Sequence, residues 1–207
     1  MNIPAEGLDV EQTYKLLTGI IVPRPIAWIT TINKNGLVNL APFSGFTFVS
    51  AFPPMVGVNM GRKAGVMKDT PNNIHSSGEF VVNIADDTMI DALHQSSAEY
   101  PADVSEADIL QLRTSPSTRV KPPRLADAPA SLECRLHQVL EFGDTGSQFI
   151  IGDVLLFHVR DDLYDNGKID SALLRPIARL GGPIYGKLGE IVRPIPIPLS
   201  PQTIFKR

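Results

Sequence analysis

The chain has 207 residues and a single cysteine, Cys134. One thiol excludes an intrachain disulfide and a cysteine-built zinc site, and it fits a reducing, cytoplasmic setting. There is no surplus of positive charge, since 19 Lys and Arg stand against 22 Asp and Glu for a net charge of −3. Nucleic acid is bound through excess cation, so no nucleic-acid partner is expected. Long apolar runs are also missing. The longest, residues 149–159, is interrupted by Gly152, Asp153 and His158, whereas a membrane helix needs about 20 apolar residues. Residues 1–8 carry Glu6 and no apolar core, so neither a leader nor a membrane anchor is expected.

The familiar nucleotide and nucleophile motifs are absent too. No GxGxxG or GxSxG occurs, and residues 61–70 do not place Gly, Lys and Thr in the adjacency of a phosphate loop. The four histidines, His75, His94, His137 and His158, are scattered, and no metal site is expected. Cys134 and His137 are three residues apart, an odd offset that puts them on opposite faces of a strand. Cys134 sits between Leu132 and Leu136 on the apolar face, so it reads as a core thiol without redox function.

What the chain does have is 18 Pro and 16 Gly, the composition of a fold rich in turns. Residues 26–32 are β-branched and aromatic and predict a strand. Asn33-Lys34-Asn35-Gly36 predicts a hairpin, with Asn35-Gly36 supplying positive φ angles, and residues 37–40 a return strand that Pro42 ends. Further strands are predicted over 55–60, 79–84, from 131, and over 148–160. Residues 13–17 suggest no more than a short amphipathic turn. Helices are predicted after Lys68, with Asp69 or Thr70 as cap and Pro71 in the first turn, and around 88–97. The expectation is a mainly β fold with short helices, an antiparallel barrel in one domain over 1–207. Residues 100–129 read as an insertion or lid over one side, and a Pro-rich tail runs from 193.

Two segments invite a ligand. In Asn39-Leu40-Ala41-Pro42-Phe43-Ser44, backbone groups freed by Pro42 can face one, although the same pattern describes an ordinary sheet corner. In residues 62–73, the cations Arg62, Lys63 and Lys68 lead into a helix N-terminus, whose free N–H groups and dipole favour an anion. Asp69 fits the alternative, a solvated loop with an ordinary cap.

The run Pro23-Arg24-Pro25-Ile26-Ala27-Trp28-Ile29-Thr30-Thr31, then Gly36, Asn39 to Ser44, Ser50-x-x-Pro53-Pro54, and Lys68-Asp69-Thr70-x-x-Asn73-Ile74 closely resembles the flavin reductase-like family, the flavoredoxin-type group of FMN-binding split barrels. Glu79-Phe80-Val81-Val82-Asn83 and the late Arg179-Leu180-Gly181-Gly182 with Tyr185 continue the match, which spans residues 14–185 and is weakest over 100–129. The resemblance implies a split antiparallel β-barrel and a homodimer with one FMN per subunit near the interface. It implies that Asn39, Ala41, Pro42, Phe43 and Ser44 line the isoalloxazine and ribityl chain, and that Lys68, Asp69, Thr70 and Asn73 surround the phosphate, with Arg62 nearby. Arg24 and Trp28 are further cofactor candidates, as are Arg179 and Tyr185, which would reach the flavin from the partner subunit. Core packing remains the alternative for Trp28, and dimer packing for Arg179 and Tyr185. The implied activity is that of a flavin reductase: NADH or NADPH reduces FMN, which serves an acceptor or a partner monooxygenase, with no catalytic side chain required. A bound-FMN electron carrier and a non-catalytic FMN-binding barrel are the alternatives.

Overall fold

The computed structural model describes residues 1–62 and 65–195. Lys63, and the part of the Pro-rich tail beyond 195, lie outside the described residues. Seven strands make the main antiparallel sheet: β1 (Ala27–Ile32), β2 (Val38–Phe43), β3 (Gly45–Ala51), β4 (Pro54–Met60), β5 (Glu79–Ile84), β6 (Ala130–Phe142) and β7 (Ser147–Val159). Their order is β2-β1-β5-β6-β7-β4-β3. The two edges, β2 and β3, are consecutive in the chain with only Ser44 between them. Laid flat, seven strands would hold their edges ~29 Å apart, at about 4.8 Å per neighbour. Two Cα steps across Ser44 span at most ~7.6 Å. The sheet therefore curls until its edges meet at Ser44, and it stays split, because β2 and β3 form no ladder among the described residues.

The helices are α1 (Val10–Ile20), α2 (Asp69–Ser77), α3 (Ile90–Gln95), α4 (Glu106–Ile109) and α5 (Ser171–Leu174). Ile29, Phe43, Val58, Phe80, Val82, Cys134 and Ile150 fill the barrel, and Ile74 of α2 joins them. The other face of β1 is also covered: Trp28 and Leu40 pack with Leu93 of α3, Ala107 of α4, and Leu125. This double covering leaves β1 buried almost throughout. A small second sheet pairs Arg24–Pro25 with Ile177–Arg179, and the latter with Tyr185–Lys187. No helix among the described residues is long and apolar enough to cross a membrane.

Several local expectations need correction. The N-terminal turn is an eleven-residue helix, because Asp9 accepts from the Gln12 N–H and the Gln12 side chain accepts from the Asp9 N–H, a complete capping box. In the β1–β2 turn only Gly36 takes a positive φ; the Asn33 side chain accepts from the N–H groups of Asn35 and Leu37 instead. Pro42 does not end β2. It pairs opposite Trp28, and an edge strand tolerates its missing N–H. On β6, His137 is an extra residue, since Gln138 pairs with Ile151 while Leu136 pairs with Gly152. The bulge lets Leu136 and Val139, three apart, both reach the core.

Residues 100–129 do cover one side, but not as a free lid. Asn83 of β5 accepts from the Leu125 N–H and the Ser131 hydroxyl, and donates to the Trp28 carbonyl. Thr30 donates to the Pro123 carbonyl. Glu133 alternates with the apolar Leu132 and Cys134 on its strand, yet its side chain is fully buried too. It accepts from the N–H groups of Thr118 (2.8 Å) and Arg119 (2.5 Å) and from His158 Nε2 (2.5 Å). Burial pushes its carboxyl up, but His158 and the two amides outweigh burial and hold it below the ordinary value of 4.5. Burial pushes the Cys134 thiol up, with Asp153 and Glu133 adding to the effect, as befits an inert core cysteine.

Two measurements follow from this packing. A Cβ added at Gly152 would lie 2.4 Å from the ring of Phe80, which is itself fully buried. Gly152→Ala is therefore expected to cost about 1–3 kcal/mol by overpacking, read as a lowered Tm by calorimetry. Glu133 has a folded pKa below its unfolded one, so its stabilisation is present above pH 4.5 and is lost as pH falls through the folded value. Glu133→Gln should lower stability at neutral pH and flatten the acid limb of a denaturant-midpoint profile. An unchanged acid limb would mean that Glu133 does not pin the 100–129 segment through its charge.

Candidate functional site

The face of β2 toward the barrel is set by its hairpin with β1, which pairs Asn39 with Thr31, Ala41 with Ile29 and Phe43 with Ala27. Against this face stands the start of α2. Thr70 Oγ1 accepts from Asn39 Nδ2 at 2.9 Å, and Thr31 Oγ1 accepts from Asn73 Nδ2 at 3.0 Å and from Asn39 at 3.3 Å. Asn39, Thr70 and Asn73 thus form one polar cluster around Thr31. Thr31 escaped notice as a site residue, although counting outward from the Asn33–Gly36 turn already sets it across from Asn39.

Lys68 is the N-cap of α2, and its side chain makes no capping hydrogen bond. The helix thus starts before either expected cap, Asp69 or Thr70, and Pro71 is its third residue. Proline is harmless there because first-turn N–H groups have no acceptor within the helix. The amides of Asp69 and Thr70 occupy that first turn without a side-chain cap, the arrangement that favours an anion. The Lys68 ammonium lies 5.8 Å from the centre of the Phe43 ring.

The rest of the 39–44 run divides between two faces. Phe43 is buried in the barrel core, and Leu40 is buried on the outer side with Trp28. The outward N–H of Leu40 donates to Glu106 Oε2 at 2.8 Å. Burial raises the Glu106 carboxyl and the nearby Asp69 charge adds to that, while the Leu40 N–H and the residue's own backbone N–H offset part of it. Pro42, two residues on, has no N–H. The outer edge of β2 therefore does not offer the free donors expected from a ladder broken at Pro42.

At the far end of β2, Ser44 Oγ accepts from Arg24 Nε at 3.3 Å. The same guanidinium donates to the carbonyls of Thr18 (2.6 Å), Ile21 (2.9 Å) and Leu180 (3.0 Å). Arg24 thus ties the end of α1, the β2–β3 corner and the small sheet together. Arg179 pairs with Arg24, and Tyr185 with Arg179, so the three side chains share a face of that sheet. Arg179 Nη1 donates to the Tyr185 hydroxyl at 2.7 Å, and His94 Nδ1 lies 3.1 Å from the same oxygen. His94 was not singled out as a site residue; its contact bridges 91 positions of sequence, and no local signal marks it.

Two candidates are not brought to this strip. Trp28 is completely buried, and its indole N–H donates to Ser96 Oγ at 2.8 Å, so it is a core residue. Arg62 turns to the β6–β7 hairpin, where Nε donates to the Gly146 carbonyl at 3.1 Å and Nη2 lies 3.7 Å from Glu141.

The strip from Asn39 to Ser44 is ~17 Å long at about 3.3 Å per residue. It has anion donors at one end, a cluster of amide and hydroxyl groups beside them, and small and apolar walls at Ala41 and Pro42. FMN is a phosphate on a polyol chain carrying a flat ring, and these residues fit that order of chemistry.

The comparisons with known proteins agree with the fold. A family model described as flavin reductase like domain matches residues 19–174. The protein BH2278 of Halalkalibacterium halodurans is 41% identical over 195 residues, 92% of this chain and 93% of the relative. The solved nitrilotriacetate monooxygenase component B from Bacillus cereus is 38% identical with a TM-score of 0.90, covering 93% of this chain and 98% of that one. The 2-nitrobenzoate 2-nitroreductase of Pseudomonas fluorescens is 31% identical with a TM-score of 0.88, covering 98% and 100%.

Proposed function

The chain belongs to the flavin reductase-like family, and from that footing we propose that it binds FMN along β2, takes hydride from NADH or NADPH, and delivers electrons to an acceptor or a partner monooxygenase. The observation that carries this reading is the start of α2, with no side-chain cap and Lys68 beside it, facing the Asn39–Thr70–Asn73 cluster. The phosphate would accept from the amides of Asp69 and Thr70 and pair with Lys68. Asp69 is exposed, so its carboxylate can stay in water while its amide serves the anion. The cluster would take the ribityl hydroxyls, and Ala41, Pro42 and Ser44 would flank the ring. Bound FMN supplies the acceptance of two electrons as hydride and their onward transfer. The protein's part is to place the ring and limit water, so no acid or base side chain is required. The similarity to a monooxygenase component B supports a monooxygenase as acceptor.

We also propose a homodimer. Helix α1 buries none of its residues, yet it carries Val10, Tyr14 and Leu17 at helical spacing, all exposed, with Ile21 exposed at its C-cap. Phe48, Val49 and Phe52, on and beside the edge strand β3, are exposed as well. An apolar helix face and an apolar sheet edge in one protomer call for a covering partner. Sedimentation at micromolar concentration should give the dimer mass; a monomer with FMN fully bound would contradict it.

The phosphate end is tested by comparing FMN with riboflavin, which lacks only the phosphate. A charge-assisted hydrogen bond is worth about 1.5–3 kcal/mol, so Lys68→Ala should weaken FMN about 10- to 150-fold and leave riboflavin nearly unchanged. Equal loss for both flavins, or for neither, would place the phosphate elsewhere. Anaerobic addition of NADH or NADPH to the yellow holoprotein should bleach the flavin absorbance. A yellow protein that neither reductant bleaches would be a carrier rather than a reductase, and failure to load FMN would defeat both readings.

A further inference from the structure

Two guanidinium groups, Arg24 and Arg179, stand directly opposite each other on adjacent strands and share a face. Like charges in that position repel, yet neither makes an ion pair among the described residues. Arg24 is occupied, with four neutral oxygens on its three nitrogens. Arg179 is not. Its Nε donates to the Gly182 carbonyl at 2.8 Å and its Nη1 to the Tyr185 hydroxyl at 2.7 Å, which leaves Nη2 without an acceptor among the described residues. The guanidinium lies over the Tyr185 ring at 4.8 Å from its centre, and His94 meets that ring edge-on at 5.6 Å and 78°. The pair is thus held in place, half-buried, with unmatched positive charge. With His94 in the tautomer that carries its proton on Nδ1, the Tyr185 hydroxyl accepts from both Arg179 and His94 and keeps its own proton to give. Nη2 and that hydroxyl make two donors side by side, the complement of an oxyanion with two oxygens.

We propose that Arg179 and Tyr185 form an oxyanion subsite, steadied by His94, for the carboxylate or phosphate group of the small molecule that exchanges hydride with the flavin. The assignment rests on the FMN reading above, because what sets this subsite beside the ring is the Arg24–Ser44 contact at the end of β2. It goes further in giving the substrate a charge and an address. Either an organic acid or the phosphates of a nicotinamide dinucleotide presents the required group. His94 acts through Tyr185 and is a positioning residue.

The test titrates benzoate, and separately adenosine diphosphate, into the FMN-loaded protein at constant ionic strength set with chloride. The perturbed flavin spectrum reports binding without turnover. Saturable binding is expected for at least one of the two, and the tighter one identifies the source, carboxylate or phosphate. Arg179→Ala should weaken that ligand at least tenfold and Tyr185→Phe severalfold, each measured at saturating FMN so that a change in flavin affinity does not enter the comparison. Arg179→Lys keeps the charge but loses the fork and should fall between, which guards against a folding defect in the alanine variant. His94→Ala should weaken binding and His94→Gln, which can still reach the hydroxyl, should restore part of it. No saturable binding of either probe, or equal binding in wild type and Arg179→Ala, would overturn the assignment. Failure to load FMN at all would defeat the functional reading instead. The subsite would then be judged by calorimetric titration of the same probes into the flavin-free protein, where Arg179→Ala should show the same loss.

Discussion

Ser44 joins the two edges of a seven-stranded sheet, and the rest of the molecule is arranged around that junction. Because β2 and β3 are consecutive in the chain, the sheet has to roll up, and its roll brings α2 across the barrel mouth with Ile74 in the core. Arg24 secures the corner by reaching Ser44, two carbonyls near the end of α1, and Leu180. One residue thus couples the barrel to the small sheet built by the C-terminal part of the chain. The candidate site lies along β2 between two positive ends, the Lys68 start of α2 and the Arg24–Arg179 row.

Buried polar groups set the second layer of order. Asn83 and Glu133 stand on strands of the main sheet, and each accepts hydrogen bonds from the 100–129 segment. An unpaired polar side chain at such depth would be costly. The segment supplies the missing donors through its backbone, so it needs little regular structure of its own to be held. Glu106 has the same relation to β2, whose exposed edge it closes at Leu40. The face covered by the 100–129 segment is therefore fixed by pairing, which leaves the β2 strip and the apolar α1 and β3 surfaces open to a ligand or a partner.

The parts of this structure that were legible in the sequence are the ones governed by local chemistry. The β1–β2 hairpin follows from Asn33 to Gly36, the end of α2 from Gly78 in its left-handed conformation, and β5 from its Phe80-Val81-Val82 run. The split-barrel family was legible from motifs spread over most of the chain. Helix α1 was underestimated because its apolar residues bury nothing within the protomer, although Asp9 and Gln12 carry its start signal. The His137 bulge and the burial of Glu133 depend on partners across the sheet or in the 100–129 segment, which no single-strand pattern reveals. At the site, Asn39, Thr70 and Asn73 meet as neighbours. By contrast, Trp28 is core, Arg62 faces another hairpin, and His94 joins only through Tyr185. These differences share one cause: a strand residue's face is local knowledge, but what lies over that face is not.

The most direct measurement is diffraction from crystals of the protein loaded with FMN. The phosphate is expected within hydrogen-bond distance of the Asp69 and Thr70 amides, with the ribityl chain against Asn39 and the ring running toward Ser44. A phosphate bound at the Arg24–Arg179 row, or a flavin that leaves the start of α2 to solvent, would contradict the placement of the cofactor along β2.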